Sequence, residues 1–117
     1  MARVGWLNKP DHVWVVSSWT FRQLLEDVLT SYPDDPEMVS EFKIASGVKH
    51  LYLDSFHPDL AGRLIEAIRE TASAIASGRI PTRLAAKPYG TSSIVAEYRQ
   101  SLERLVAMIG STPDVAP

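Results

Sequence analysis

The sequence predicts an all-α fold, a compact bundle of four to five helices with an extended N-terminal arm. Three observations favour it. Apolar residues recur at helical spacing in several separate stretches, and residues suited to capping helices stand between them. Only one short stretch is rich in β-branched and aromatic residues. With 117 residues, 45% of them hydrophobic, the chain can bury a core, and we expect one helical domain over residues 1–117.

Residues 1–16 form the predicted arm, because Gly5, Asn8 and Pro10 interrupt any regular pattern. The run Val13-Trp14-Val15-Val16 is β-branched and aromatic, so a short strand is the alternative. No second run in the sequence offers an evident partner strand. We therefore expect an extended arm packed on helices.

A first helix is predicted over about 19–31 and ends at Tyr32-Pro33, since the residue before proline avoids helical geometry. Asp35 is suited to cap the next helix, with Pro36 in its first turn. Further along, four apolar residues continue at helical spacing and predict another short helix. They are Val48, Leu51, Tyr52 and Phe56.

The third helix has the most regular apolar spacing, from Leu60 to Ala76, and Gly78 follows where a left-handed C-terminal residue is expected. Ser55 or His57 is suited to cap its start. Residues 79–90 read as a long basic loop. Thr91 or Ser92 opens the last helix, which is predicted to end at Gly110, and residues 111–117 read as a frayed tail.

Charge is strongly patterned along a chain whose net charge is only −2. Between Gln23 and Phe42 the sequence has six carboxylates and no Lys or Arg. A one-signed surface steers an oppositely charged partner, so we expect these residues to form a docking surface for a basic protein, the alternative being a solvated helix face. The six residues are Glu26, Asp27, Asp34, Asp35, Glu37 and Glu41.

The opposite pattern occurs between Thr71 and Ala96, where Arg79, Arg83 and Lys87 are the only charged residues. This basic loop, followed by Tyr89, is a candidate contact for nucleic acid. The pI of about 5.9 argues against a dedicated nucleic-acid binder, so direct binding of nucleic acid is not expected.

No catalytic or cofactor-binding motif is found, and the protein is not expected to be an enzyme. The absence of cysteine excludes disulfides, thiolate catalysis and Cys-based zinc sites. His50, Asp54 and His57 would share a face on one continuous helix, but Pro58 and a break near Asp54 argue against that continuity. We therefore predict no metal site; a small enzyme using His50 or His57 remains an open alternative.

Three tryptophans, Trp6, Trp14 and Trp19, lie in the first 19 residues. Tryptophan is mostly buried, so at least one belongs to the core, whereas an exposed one would be an interface anchor. The N-terminal residues lack the apolar stretch of a signal peptide, and no segment has the roughly 20 apolar residues of a membrane span. A cytoplasmic protein that does not contact a membrane is expected.

Several segments resemble the small immunity proteins of bacterial toxin–immunity pairs, of the contact-dependent growth inhibition type. They are Trp19–Asp27, Leu51–Phe56 and the helix from Ile65 to Ser77-Gly78-Arg79. The resemblance implies a cytoplasmic protein that binds a cognate toxin domain, often a nuclease, and occludes its active site. The alternative is a nucleic-acid-associated regulator or antitoxin that uses the basic loop.

Overall fold

The computed structural model describes residues 1–111, which form an α+β fold with four helices and a three-stranded mixed sheet. The prediction of an all-α bundle is therefore wrong. The predicted arm over residues 1–16 is a β-hairpin, which consists of β1 (Ala2–Trp6) and β2 (Lys9–Val16). A third strand, β3 (His50–Tyr52), joins this hairpin from the middle of the chain.

The sheet has the strand order β2-β1-β3, with β1 antiparallel to β2 and parallel to β3. Val4 is at its centre, opposite Trp14 on β2 and Leu51 on β3. Alternate residues point inward, as the period of a strand requires, and these are apolar and buried. The inner face consists of Ala2, Val4, Trp6, Trp14, Val16 and Leu51.

Two local features explain why this hairpin is hard to recognise in the sequence. Gly5 interrupts the strand-like pattern of the sequence, although it lies within β1. A Cβ there would be only 2.8 Å from the carbonyl oxygen of His12, so the close approach of β2 requires glycine. The connecting turn is held from a distant residue, because Asp54 accepts hydrogen bonds from the backbone N–H groups of Leu7 (2.8 Å) and Asn8 (2.9 Å).

The four helices are α1 (Ser18–Ser31), α2 (Pro36–Val48), α3 (Pro58–Ala76) and α4 (Ser92–Ser111). The predicted cap of α2 is confirmed, and of the two candidates for α3 the structure has His57. Asp35 accepts a hydrogen bond from the backbone N–H of Met38 at 3.2 Å, and His57 accepts one from Asp59 at 3.3 Å. Gly78 has a φ of +80°, as predicted for the residue that ends α3.

The helix predicted through Val48 to Phe56 is wrong. The chain leaves α2 at Lys49, which adopts a left-handed conformation with φ 64°, and then forms β3 and a 3-10 turn over Leu53–Ser55. The apolar spacing in this segment reflects two separate inward contacts, since Leu51 faces the helices from the sheet and Leu53 from the turn; both are buried.

One hydrophobic core lies between the inner face of the sheet and the helices. Leu24 and Phe21 of α1, Ile68 of α3 and Leu102 of α4 are fully buried in it. Trp14 connects the two layers, because its indole N–H donates to the backbone carbonyl of Ser101 on α4 at 2.8 Å. This arrangement leaves the outer sides of the helices free to form surface sites.

The described part of the chain ends at Ser111, the last residue of α4, so the helix continues past the end predicted at Gly110. Of the tail predicted over 111–117, residues 112–117 lie outside the described residues. Among the helices of residues 1–111, none has the length and apolar character needed to cross a bilayer.

Candidate functional site

The six carboxylates of the acidic stretch are divided between three environments. Asp27 lies in the core with only 3% of its surface exposed, so it contributes no surface for docking. Glu26 lies beside it on α1 and is half-buried. The other four lie in the turn before α2 or on α2: Asp34, Asp35, Glu37 and Glu41.

Asp27 is the acceptor at the centre of a buried hydrogen-bond network. Its Oδ2 accepts from the hydroxyl of Thr82 at 2.6 Å and from the phenol of Tyr98 at 2.7 Å. Its Oδ1 accepts from the backbone N–H of Arg83 at 2.8 Å. Three separate elements thus meet on one carboxyl group, and the segment between α3 and α4 is held against α1.

Tyr98 completes this network as a permanent donor. Its phenol is almost fully buried. Burial and then the negative charge of Asp27 raise the pKa of Tyr98 far above its usual value. The phenol therefore keeps its proton and its hydrogen bond to Asp27 throughout the pH range in which proteins function.

Next to this network, Lys87 joins the same segment to the surface of α1. Its ammonium group donates to Glu26 Oε1 at 2.9 Å and to Gln23 Oε1 at 3.0 Å. Burial opposes ionisation of Glu26, but hydrogen bonds from Lys87 and Gln23 outweigh it and hold the pKa of Glu26 below its usual value. The bond to Glu26 raises the pKa of Lys87 in turn.

The carboxylates around the start of α2 remain at the surface and meet Arg63 of α3. Arg63 donates to Glu37 at 2.8 Å and lies 3.7 Å from Asp35. Asp34 is exposed, whereas Glu41 is half-buried. These residues therefore keep a position suited to contact with a partner, with part of their charge compensated by Arg63.

A groove between the start of α2 and the first half of α3, which we call the acidic groove, adds carboxylates that sequence reasoning did not include. Its volume is about 540 Å³. Asp59 and Glu66 of α3 line it opposite Asp35, and Met38 and Tyr32 are also in its lining. Asp59, Glu66 and Glu70 recur at helical spacing, which is the sequence signal that could have connected them to one face of α3.

Tyr32 extends the acidic groove toward the middle of α3. Its hydroxyl donates to Glu70 Oε2 at 2.8 Å. This hydrogen bond raises the pKa of Tyr32 and lowers that of Glu70. Glu70 is therefore held ionised next to the groove, which adds a further negative charge to this face.

The structure also shows which tryptophan is exposed. Trp6 and Trp14 are buried, whereas 42% of Trp19 is accessible to solvent. Trp19 lines a second groove of about 620 Å³ between the start of α1, residues 87–89 and the start of α4. We call it the Trp19 groove; its lining is Trp19, Arg22, Gln23, Glu26, Lys87, Tyr89, Ile94 and Glu97.

The wall of the Trp19 groove formed by Tyr89 is fixed by its backbone. A Cβ at Gly90 would lie 1.9 Å from the carbonyl oxygen of Leu84, so the turn requires glycine, and the N–H of Gly90 donates to Lys87 at 2.9 Å. Lys87 also lies 5.9 Å from the centre of the Tyr89 ring. The exposed ring of Tyr89 therefore belongs to a segment that hydrogen bonds from Lys87 hold against α1.

The three cations of the predicted basic loop differ in their partners. Lys87 pairs with Glu26, as described above. Arg79 donates to the hydroxyls of Ser77 (3.0 Å) and Ser73 (3.2 Å). Arg83 contributes its backbone N–H to the Asp27 network.

The three residues that sequence analysis considered for a metal lie on different elements. His50 is on β3 with its ring 4.8 Å from that of Tyr52, Asp54 holds the hairpin turn, and His57 caps α3. In residues 1–111, no group of three or more His, Asp or Glu side chains is placed to hold a metal ion.

Comparison with known proteins gives no relative. The chain matches no protein-family model, no curated protein and no solved structure.

Proposed function

We propose that this protein is a cytoplasmic immunity protein that binds a cognate toxin domain, a basic nuclease, and occludes its active site. The acidic groove and its rim form the docking surface. The proposal uses Asp34, Asp35 and Glu37 of the acidic stretch, together with carboxylates of α3; Glu41 is half-buried on α2 and does not line the groove. The proposal excludes Asp27, which is buried, and Glu26, which pairs with Lys87.

The observation that carries the proposal is the convergence of carboxylates from two distant chain segments on one face. Six carboxylates and three guanidinium groups lie there, so negative charge is concentrated on a molecule whose net charge is only −2. The carboxylates are Asp34, Asp35, Glu37, Asp59, Glu66 and Glu70, and the cations are Arg63, Arg69 and Arg79.

Such a surface suits a partner that binds nucleic acid. Nuclease active sites carry positive charge because they neutralise phosphates. An acidic face presents comparable negative charge and prevents the substrate from entering. Electrostatic complementarity also raises association rates toward about 10⁸–10⁹ M⁻¹s⁻¹ at low salt, against about 10⁵–10⁶ M⁻¹s⁻¹ for neutral surfaces. Rapid capture is what an inhibitor of an intracellular nuclease requires.

The experiment combines capture of the partner with charge reversal on the groove. The tagged protein is used to recover partners from the native lysate at low and high salt, and the recovered protein is then assayed as a nuclease. The variant Asp34→Lys/Glu66→Lys should slow association with it at least about tenfold at low salt. It should also reduce the salt dependence of the rate.

The matched control, Asp11→Lys/Glu103→Lys, makes the same change in net charge at exposed sites outside the groove. Its association should be close to that of the unmodified protein. Equal slowing in both variants would assign the effect to overall charge and reject this docking surface. A recovered partner without nuclease activity, or one whose activity is not inhibited, would reject the immunity function.

The alternative of a nucleic-acid-associated regulator loses one of its three cations, because Lys87 pairs with Glu26. Nucleic acid in the recovered material, lost on neutralising the three cations of the basic loop, would favour that alternative instead.

A further inference from the structure

The Trp19 groove is a second surface, distinct from the acidic groove and independent of the proposed function. It lies at the start of α1, whereas Asp34 follows the end of the same helix. We propose that it binds an extended proline-rich segment of a partner polypeptide.

Two exposed aromatic rings are the first reason. Trp19 is 42% exposed and Tyr89 is 59% exposed, and both line the same groove above the half-buried Ile94. Keeping such apolar surface in water is unfavourable, and Trp, Tyr and Arg are the residues most enriched at binding hot spots. Trp19, Arg22 and Tyr89 together supply all three residue types.

Free hydrogen-bond donors are the second reason. Within residues 1–111, neither the indole N–H of Trp19 nor the guanidinium of Arg22 has a hydrogen-bond or ion-pair partner. A proline-rich segment is rich in carbonyl acceptors and poor in N–H donors, since proline has no backbone N–H. Aromatic-lined grooves recognise such segments because the polyproline II helix is extended and ordered before binding.

The charge of the lining argues for an uncharged occupant. Arg22 and Lys87 are balanced by Glu26 and Glu97, and Lys87 already pairs with Glu26 at 2.9 Å. Phosphates of a nucleotide would meet two carboxylates in this groove, whereas a proline-rich segment brings no charge. The observations therefore favour a peptide over nucleic acid.

The Trp19 groove is also preformed, before any occupant binds. The buried Asp27 network, the bond from Lys87 to α1 and the glycine-dependent turn at Gly90 all fix the Tyr89 wall. Little ordering entropy remains to oppose binding on the protein side. From Trp19 to Glu26 the helix rises by about 10 Å, which corresponds to about three residues of a polyproline II segment.

Tryptophan fluorescence provides a direct test on the full chain. Because Trp6 and Trp14 are buried, only Trp19 exposes much of its indole to solvent, so its emission should report an occupant. Titration with a decaproline peptide should shift the emission to shorter wavelength in a saturable manner. A glycine–serine peptide of the same length should cause no shift. Trp19→Phe should abolish the spectral response.

Three further variants separate the groove from general effects. Tyr89→Ala should weaken decaproline binding about tenfold or more, and Arg22→Gln by a few-fold, as truncation of hot-spot residues does. Tyr52→Ala, a partly exposed tyrosine on the outer face of the sheet, is the matched control and should bind normally. Far-UV circular dichroism establishes that each variant is folded.

The absence of a saturable response to decaproline in the folded, unmodified protein would overturn the proposal. A response that Tyr52→Ala reduces as strongly as Tyr89→Ala would also overturn it. AMP and an oligothymidylate are the competing probes, and saturable quenching by either, without a response to decaproline, would assign the groove to nucleotides instead. None of these results depends on the identity of the toxin.

Discussion

Replacing Asp27 with alanine removes an acceptor shared by four donors, of which the side-chain amide of Gln23 is the most distant at 3.4 Å. The hydroxyls of Thr82 and Tyr98 lie 2.6 and 2.7 Å from Asp27, and these residues are only 3% and 1% exposed. Leaving a buried donor unsatisfied costs about 1–3 kcal/mol. The backbone N–H of Arg83 is only partly buried, so water can replace part of its bond.

Adding these terms, we expect Asp27→Ala to lower the free energy of unfolding by about 3–5 kcal/mol, a large share of the roughly 5–15 kcal/mol typical of a domain. Urea denaturation followed by circular dichroism measures it. Asp34→Ala is the matched control from the same acidic stretch; it removes an exposed carboxylate and should change stability by no more than about 0.5 kcal/mol.

A double-mutant cycle tests the network itself. Tyr98→Phe alone should cost about 1–2 kcal/mol, because it removes one hydrogen bond to Asp27. In the Asp27→Ala background the same change should cost much less, since it removes a hydroxyl that has already lost its acceptor. Additive effects, or a loss below about 1 kcal/mol for Asp27→Ala, would refute the reasoning.

Three further predictions concern single positions, each measured by urea denaturation. Gly90→Ala should destabilise by about 2 kcal/mol, since the new Cβ would lie 1.9 Å from the Leu84 carbonyl oxygen; Gly62→Ala, with open space around it, is the control and should not destabilise. Lys49→Gly should stabilise by about 0.5–1 kcal/mol because Lys49 has φ 64°. Because the pKa of Glu26 is lowered in the folded protein, its ionised form stabilises the fold at pH values above the ordinary pKa of glutamate, and this stabilisation is lost as the pH falls through the lowered pKa. The loss should stay below about 1 kcal/mol, because the pair with Lys87 is partly exposed. It should be smaller in Lys87→Met, which lacks the ammonium group.

The helical part of the fold could be predicted because its signals are local. Apolar spacing over α1 and α3, the cap at Asp35 and the left-handed Gly78 depend on residues within a few positions of one another. These elements were expected close to their observed bounds. The same local reasoning failed between Val48 and Phe56, where a strand and a 3-10 turn together imitate helical spacing.

The candidate sites were less accessible to sequence reasoning. The acidic stretch predicted a surface, and the exposed Asp34 and Glu37 agree with that placement. Asp59 and Glu66 were not connected to it, because their position opposite Asp35 depends on how α2 packs on α3. The Trp19 groove likewise combines residues of α1 with Tyr89 and Ile94, which follow it by about 70 positions.

The sequence by itself determined the positions of α1, α3 and α4, the caps of α2 and α3 and the separation of charge along the chain, since each follows from neighbouring residues. Only the tertiary structure decided that residues 1–16 form a hairpin, because β1 depends on β3 and on the distant Asp54. Packing also decided which charged and aromatic residues are exposed and therefore available to contact a partner. Asp27 and Trp14 are buried, whereas Asp34 and Trp19 remain exposed, because long-range contacts determine which side of each element faces the core.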